Sequence, residues 1–184
     1  MKVVITYKNT SRLSMRIVKN GDVHVSAPRG LSRANIETFI NENRKWIDET
    51  REKTFEYERK RAEFYNRLPL KTKEERDDAQ QRLQALIGPM VERHAREMNV
   101  KPGDIYYKAN ISSWGKCNTT DHSICFSAYL LLLPDWCVEH VVVHELCHLL
   151  EPSHNARFHA LMDRYFPRWR EARQETRCIS RQEE

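Results

Sequence analysis

The sequence predicts an α+β fold in which a small β-rich region precedes long helices, a small mixed sheet and a last group of helices. Three observations support this prediction: short alternating segments come first, helical periodicity with capping signals follows, and extended segments precede an apolar helix near residue 140. At 184 residues the chain is long enough to bury one core without disulfides. We therefore expect one compact domain over residues 1–184, with an N-terminal β-hairpin region at 1–30 and the functional core at 104–169.

The N-terminal region is predicted to contain three strands, because its residues alternate and are rich in β-branched side chains. Asn20 and Gly21 supply a tight turn between the second and third strands, which predicts a hairpin over residues 12–27. The three predicted strands are residues 3–7, 14–19 and 23–27.

Two long helices are expected next. Ser32 can cap a helix whose apolar side chains recur at helical spacing and which could extend to about Arg67. Thr72 and Glu75 have the spacing of a capping box and open a second helix. Pro89 lies inside that second helix and removes one amide donor, so we expect a kink or a break at Gly88–Pro89.

The C-terminal half is predicted to return to extended structure and then to helices. Residues 104–109, 111–117 and 123–127 are expected to be extended. A helix should run from about Asp135 to Leu150, because Pro152 disfavours helical geometry at the residue before it. Ser153 is expected to cap the next helix, and Pro167 to open the last one.

The most informative segment is His144-Glu145-Leu146-Cys147-His148, followed by His154. Two histidines four residues apart lie about 40° apart around a helix axis, so both rings can reach one metal ion. A catalytic zinc ion takes three protein ligands and keeps a position for water. The pattern H-E-x-x-H therefore predicts one Zn²⁺ per chain, with His144, His148 and His154 as ligands and Glu145 as general base.

Other roles near this motif stay open at this point. Glu151 could replace His154 as an oxygen ligand, because it follows His148 by three residues. His140 is expected to pack beside the ligands, because three histidines along one straight helix cannot easily share an ion. Cys147 is expected to pack in the core. Candidates for stabilising a transition state are Arg157, Lys116, Tyr165 and His159.

Residues 141–158, VVVHELCHLLEPSHNARF, resemble the zinc signature of the YgjP-like family of bacterial metallopeptidases, which is related to the WLM and SprT-type zincins. Trp114-Gly115-Lys116-Cys117 is similar to the W-G-S-C element of that family, and Pro167-Arg168-Trp169 to its P-x-W. Two departures are Ser113, where the family usually has arginine, and Lys116, where serine is common.

The resemblance implies a compact zincin-like domain, zinc binding by His144, His148 and His154, and Glu145 as the base. The histidine spacing also matches the longer metzincin motif. That motif has glycine where this chain has Glu151, and it is accompanied by a methionine turn that is not recognisable here.

The metal-site motif and the distribution of charge are compatible with three functions. The net charge is +5, and residues 1–33 hold seven Lys or Arg against one Asp. The leading prediction is hydrolysis of a peptide or protein substrate. The same site could hydrolyse a nucleotide phosphoanhydride, as a pyrophosphatase does, although no Gly-rich phosphate loop is present. The third possibility is a nucleic-acid-associated protease or binding domain that uses the basic residues of 12–29.

Cysteine usage and hydropathy predict a cytoplasmic protein without membrane contact. The five cysteines are scattered and form no C-x-x-C pair, which favours reduced thiols. The sequence has neither a signal-peptide pattern nor a run of roughly 18 to 20 apolar residues.

Overall fold

The computed structural model describes residues 1–182 and shows an α+β chain, as the sequence predicts. The chain divides into two compact units, Met1–Ala62 and Glu63–Glu184. The strands are β1 (Val3–Lys8), β2 (Ser14–Ile17), β3 (Val23–Pro28), β4 (Ile105–Lys108), β5 (Gly115–Cys117) and β6 (Ile124–Ser127). The helices are α1 (Arg33–Glu42), α2 (Arg44–Asn66), α3 (Lys73–Met98), α4 (Asp135–Cys147), α5 (Ala156–Tyr165) and α6 (Trp169–Arg181), with a 3₁₀ helix at Ala128–Leu132.

The first unit contains the predicted hairpin. Its sheet has the order β1-β3-β2, in which β2 is antiparallel and β1 parallel to β3. Gly21 has φ +77°, the left-handed turn conformation that glycine adopts without a steric penalty. Side chains of β3 and of the first helices form the core of this unit: Val23, Val25, Ala27, Ile36, Ile40 and Ile47.

The predicted cap at Ser32 is confirmed, because its hydroxyl accepts a hydrogen bond from the amide of Asn35. The long helix expected after it is interrupted at Asn43. The side-chain amide of Asn43 donates to the carbonyl of Phe39 at 2.8 Å, and its backbone amide donates to the same carbonyl at 3.2 Å. This local pairing ends α1, and α2 starts at the next residue.

In the second unit, the Thr72–Glu75 capping box is confirmed. Of the kink or break expected at Gly88–Pro89, the break is wrong, because α3 continues from Lys73 to Met98 through Pro89, and the kink stays a prediction. Proline removes one backbone bond, but Leu83, Ile87 and Val91 on either side of it are buried in the core. That packing maintains the helix.

The small mixed sheet is also confirmed, with the order β4-β6-β5. β4 is parallel and β5 antiparallel to β6. The extended segment expected at 111–117 is shorter than predicted, because Asn110 accepts a hydrogen bond from the amide of Ser112 and donates to the hydroxyl of Ser113. These bonds form a turn, and the strand starts only at Gly115.

Three helix boundaries differ from the prediction. α4 ends at Cys147 rather than near Leu150, and His148 is its C-cap. Ser153 does not cap α5; its carbonyl accepts the amide of Asn155, and Asn155 caps the helix through the amides of residues 157 and 158. The last helix starts at Trp169, two residues after Pro167, with Arg168 as its N-cap.

The five cysteines are free thiols, as expected. Within residues 1–182, no helix has both the length and the apolar character needed to cross a membrane. The single domain expected over residues 1–184 stays a prediction, and coincident unfolding of the two units would support it.

His94 joins α3 to α4, the helix that holds the H-E-x-x-H motif. Its side chain is 4% exposed, and its two ring nitrogens lie 3.1 Å from a carboxylate oxygen of Glu97 and 2.7 Å from one of Glu139. Arg93 also donates to Glu139. Buried polar groups of this kind are costly to leave without a partner.

We predict that His94→Ala lowers the free energy of unfolding by about 2–4 kcal/mol, because it leaves the carboxylate of Glu139 with fewer partners. Urea unfolding measures this change. The control is Arg82→Ala, which removes an exposed ion pair to Asp78 and should cost less than about 1 kcal/mol. Equal losses in the two variants would contradict the role of His94.

Candidate metal centre

Helix α4 places two of the predicted ligands and the predicted base at its C-terminal end. Its packed side is apolar, and Val138, Val142 and Leu146 are fully buried. His144 lies in the last turn and His148 is the C-cap residue, so both rings project where the helix ends. The core thus fixes the helix, and its last turn contacts the segment between α4 and α5, which carries His154.

The structure brings His144, His148 and His154 together. One ring nitrogen of each lies within 4.8 Å of the others, and the Nε2 atoms of His144 and His154 are 3.0 Å apart. His154 lies in the segment where the chain reverses between α4 and α5. The next residue, Asn155, caps α5 and so fixes the position of His154. Two nitrogens bound to one tetrahedral zinc ion at 2.0–2.1 Å would be about 3.3 Å apart, close to this spacing.

Phe158 forms an apolar floor under the three histidines. Its ring centroid lies 4.9 Å from that of His144 and 4.7 Å from those of His148 and His154. The side chain is 1% exposed, and it offers no hydrogen-bonding group. Phe158 therefore packs against the three rings and forms no hydrogen bond with their nitrogens.

Burial favours the neutral form of the His144 and His148 imidazoles, which is the form that binds metal. Burial, together with the neighbouring histidines, lowers the pKa of His144 to about 3. Burial also lowers the pKa of His148. Nδ1 of His148 donates to the carbonyl of Glu151 at 3.2 Å, which leaves Nε2 available as a ligand atom.

Glu145 follows His144 in α4 and is almost completely buried, with 5% of its surface exposed. Burial raises the pKa of Glu145 to about 7, and a hydrogen bond from the backbone amide of Cys117 opposes that rise. Strand β5 covers the carboxylate closely. A Cβ atom at Gly115 would lie 2.5 Å from Oε1 of Glu145, so only glycine leaves room at this position.

The alternative ligands occupy other environments. The carboxylate of Glu151 accepts from the amide of Ser153 at 3.3 Å and faces Arg157 at 3.9 Å. His140 is buried, its ring centroid is 6.0 Å from that of His144, and neither of its ring nitrogens has a hydrogen-bond partner in residues 1–182. Burial raises the pKa of Cys147 to about 12, which disfavours a thiolate ligand.

The four candidates for transition-state stabilisation are not equivalent in the structure. His159 stacks on Trp169 with ring centroids 5.3 Å apart, and Arg157 is directed towards Glu151. Lys116 is exposed on β5, on the strand that covers Glu145. The guanidinium of Arg164 lies over the ring of Tyr165. Of the four, Lys116 thus lies on the strand nearest to the base.

Two features of the site were not predicted from the sequence. The W-G-K-C segment was recognised, but the contact of Gly115 and Cys117 with Glu145 was not. Phe158 ends the segment that resembles the zinc signature, and nothing in its spacing indicated that all three histidine rings contact it. Both features depend on contacts between segments distant in sequence.

The donor set fits a metal ion. Three imidazole nitrogens converge, and the residue that follows the first of these histidines in the sequence carries a buried carboxylate. This is the set of groups that metal-dependent hydrolysis needs, because the ion requires neutral ligands and the attacking water requires a base.

Comparison with known proteins agrees with this arrangement. The family described as "YgjP-like, metallopeptidase domain" matches residues 11–76 and 68–177. No curated protein matches the chain. A solved structure, the metallopeptidase zymogen of Pyrococcus abyssi abylysin, is similar at 19% identity and a TM-score of 0.45, covering 50% of this chain and 93% of that chain.

The family match extends over both compact units and includes the three histidines and Glu145. The resemblance noted in the sequence is therefore confirmed. Since the matched segments together span residues 11–177, the chain belongs to the YgjP-like family of metallopeptidase domains.

Proposed function

We propose that this chain is a zinc-dependent metallopeptidase in which His144, His148 and His154 hold one Zn²⁺ and Glu145 is the general base. The observation that supports this most strongly is the convergence of three imidazole nitrogens within 4.8 Å beside a buried glutamate. Three nitrogen ligands with a remaining open position are typical of catalytic zinc, whereas structural zinc sites are closed by four protein ligands.

Each residue has a separate task in this proposal. A bound zinc ion lowers the pKa of a water molecule towards about 7 and polarises the peptide carbonyl. Glu145 accepts the proton of the attacking water and then delivers it to the leaving nitrogen. A carboxyl group with a pKa near 7 suits both transfers, because it is neither too weak a base nor too weak an acid.

Strand β5 is proposed to align the substrate. It lies at one edge of the sheet β4-β6-β5, and Gly115 in this strand is next to Glu145. An extended peptide can pair with a sheet edge through its backbone. Such pairing would bring a peptide carbonyl alongside the base and the three histidines. Adjacent side chains of a strand point to opposite faces, so Lys116 lies on the face of β5 opposite to the one that Gly115 turns to Glu145, and its contact with the developing negative charge stays a prediction.

Two earlier expectations stay predictions. Nucleic acid or a nucleotide could bind through the basic residues of 1–33, among which Lys8 and Arg16 are exposed on β1 and β2. A cytoplasmic location is likewise expected from the free cysteines.

We predict that Glu145→Gln lowers kcat for peptide cleavage by about 10²–10⁴-fold, because the amide cannot accept the proton of the attacking water. Zinc content should remain at one ion per chain, as measured by mass spectrometry. The matched control is Glu92→Gln, an exposed position on α3, which should leave kcat unchanged. Hydrolysis of nucleoside triphosphates but of no peptide, with the same dependence on Glu145, would replace this proposal by the phosphoanhydride alternative.

We predict that Gly115→Ala lowers kcat about 10-fold to 10²-fold with little change in KM, because the added methyl group displaces the carboxylate of Glu145. Zinc should be retained, since Gly115 contributes no ligand. Gly88→Ala is the matched control, because a Cβ atom there meets nothing within 4 Å. An unchanged kcat in Gly115→Ala would show that the position of Glu145 does not depend on β5.

A further inference from the structure

Helix α6 has its charges sorted onto different sides. Arg170, Arg173, Arg177 and Arg181 follow one another at spacings of three, four and four residues. At 100° per residue these four positions fall within about 80° of the helix circumference, whereas Glu171 and Glu175 lie on another side. The arginines therefore form one continuous stripe, which we call the arginine stripe.

The arginine stripe lines a groove of about 710 Å³, together with Trp169, Gln174 and Cys178. Arg170 is paired with Asp163 at 2.6 Å. Arg173 and Arg177 are exposed, and neither has an ion-pair partner among residues 1–182. Like charges at this helical spacing repel each other, so the groove is electrostatically suited to an anionic partner.

The groove starts beside helix α5. The ring of Trp169 stacks on that of His159, and the preceding residue, Phe158, is the floor under the three histidines. A chain lying in the groove would therefore have one end at helix α5, which also carries Phe158.

We propose that the groove along α6 binds a short, extended acidic segment of the peptide substrate, with Arg173 and Arg177 as its principal contacts. The proposal rests on the peptidase function proposed above and specifies the substrate class. Arginines four residues apart are about 6 Å apart along the helix, and alternate side chains of an extended peptide recur at about 6.6 Å. Carboxylates at alternate positions of an extended peptide can thus each form a bidentate ion pair with one arginine side chain.

The groove is less suited to nucleic acid. Proteins that bind single strands use exposed aromatic rings on which bases stack. The aromatic side chain in this groove, Trp169, is 7% exposed, and its ring already contacts His159 and the guanidinium of Arg170. Charge without a stacking surface favours carboxylate side chains, which require only the guanidinium groups.

A binding experiment tests the groove without depending on cleavage. Zinc-loaded Glu145→Gln protein is titrated with two fluorescent pentapeptides, Glu-Ala-Glu-Ala-Glu and Gln-Ala-Gln-Ala-Gln, at low ionic strength. We expect the acidic peptide to bind at least about tenfold more tightly, with the preference shrinking as salt is added. The preference should disappear in Arg173→Gln/Arg177→Gln.

The control for net charge is Arg82→Gln/Lys101→Gln, which removes two positive charges from α3 and the segment after it and should keep the preference. Equal affinity for the two peptides, or equal loss in both double variants, overturns the proposal. Tighter binding of a short oligothymidylate that depends on Arg173 and Arg177 also overturns it and assigns the groove to nucleic acid.

Cleavage assays then separate the groove from the peptidase function. Wild-type protein is given matched substrates that differ only in an acidic or a neutral segment, placed on either side of the same scissile bond. A KM at least about tenfold lower for one acidic substrate, lost in Arg173→Gln/Arg177→Gln, supports both proposals. Cleavage without an acidic preference overturns the groove alone. Selective binding of the acidic pentapeptide without any cleavage supports the groove and overturns the peptidase function.

Discussion

The burial of α4 is the constraint on which the rest of the site depends. Val138, Val142 and Leu146 on one side of this helix, and Val143 and Cys147 on another, have no exposed surface, so the core holds the helix on more than one side. The same low-polarity surroundings lower the pKa of His144 to about 3 and raise that of Glu145 to about 7. Packing that stabilises the fold thereby also sets the protonation states that metal binding and proton transfer need.

Positions outside α4 complete the site through short and specific contacts. Asn155 caps α5 and so fixes the turn that presents His154. Phe158, in the first turn of α5, contacts all three histidine rings. Because Gly115 has no side chain, strand β5 can lie directly against Glu145 of α4. The site is therefore an assembly of one buried helix, one turn and one strand.

The sequence predicted those features that are set by neighbours along the chain. The capping box of Thr72 and Glu75 and the cap at Ser32 involve residues three apart, and both are confirmed. The predictions were less accurate where two neighbouring residues could each cap a helix, or where core packing opposes a local signal. Asn155 rather than Ser153 caps α5, because the helix starts at Ala156 and the side chain of Asn155 accepts the amides of its first turn. Pro89 does not break α3, because core packing outweighs one missing bond.

Contacts between distant segments could not be predicted from spacing. The contact of Gly115 with Glu145 joins residues 30 positions apart, and no local pattern signals it. The arginine stripe is different: its spacing is visible in the sequence, but its position beside α5 depends on how Trp169 stacks on His159. Local chemistry thus indicated the three histidines, while tertiary packing determines what surrounds them.

The central claim is that three imidazoles bind one zinc ion and that no thiolate takes part. X-ray absorption at the zinc K-edge, on protein purified without a metal-affinity tag and loaded with one equivalent of zinc, tests it directly. The account predicts three nitrogen neighbours from imidazole at about 2.0–2.1 Å, further light-atom coordination from solvent, and no sulfur shell. A sulfur shell at about 2.3 Å, or failure to retain zinc at all, would contradict it.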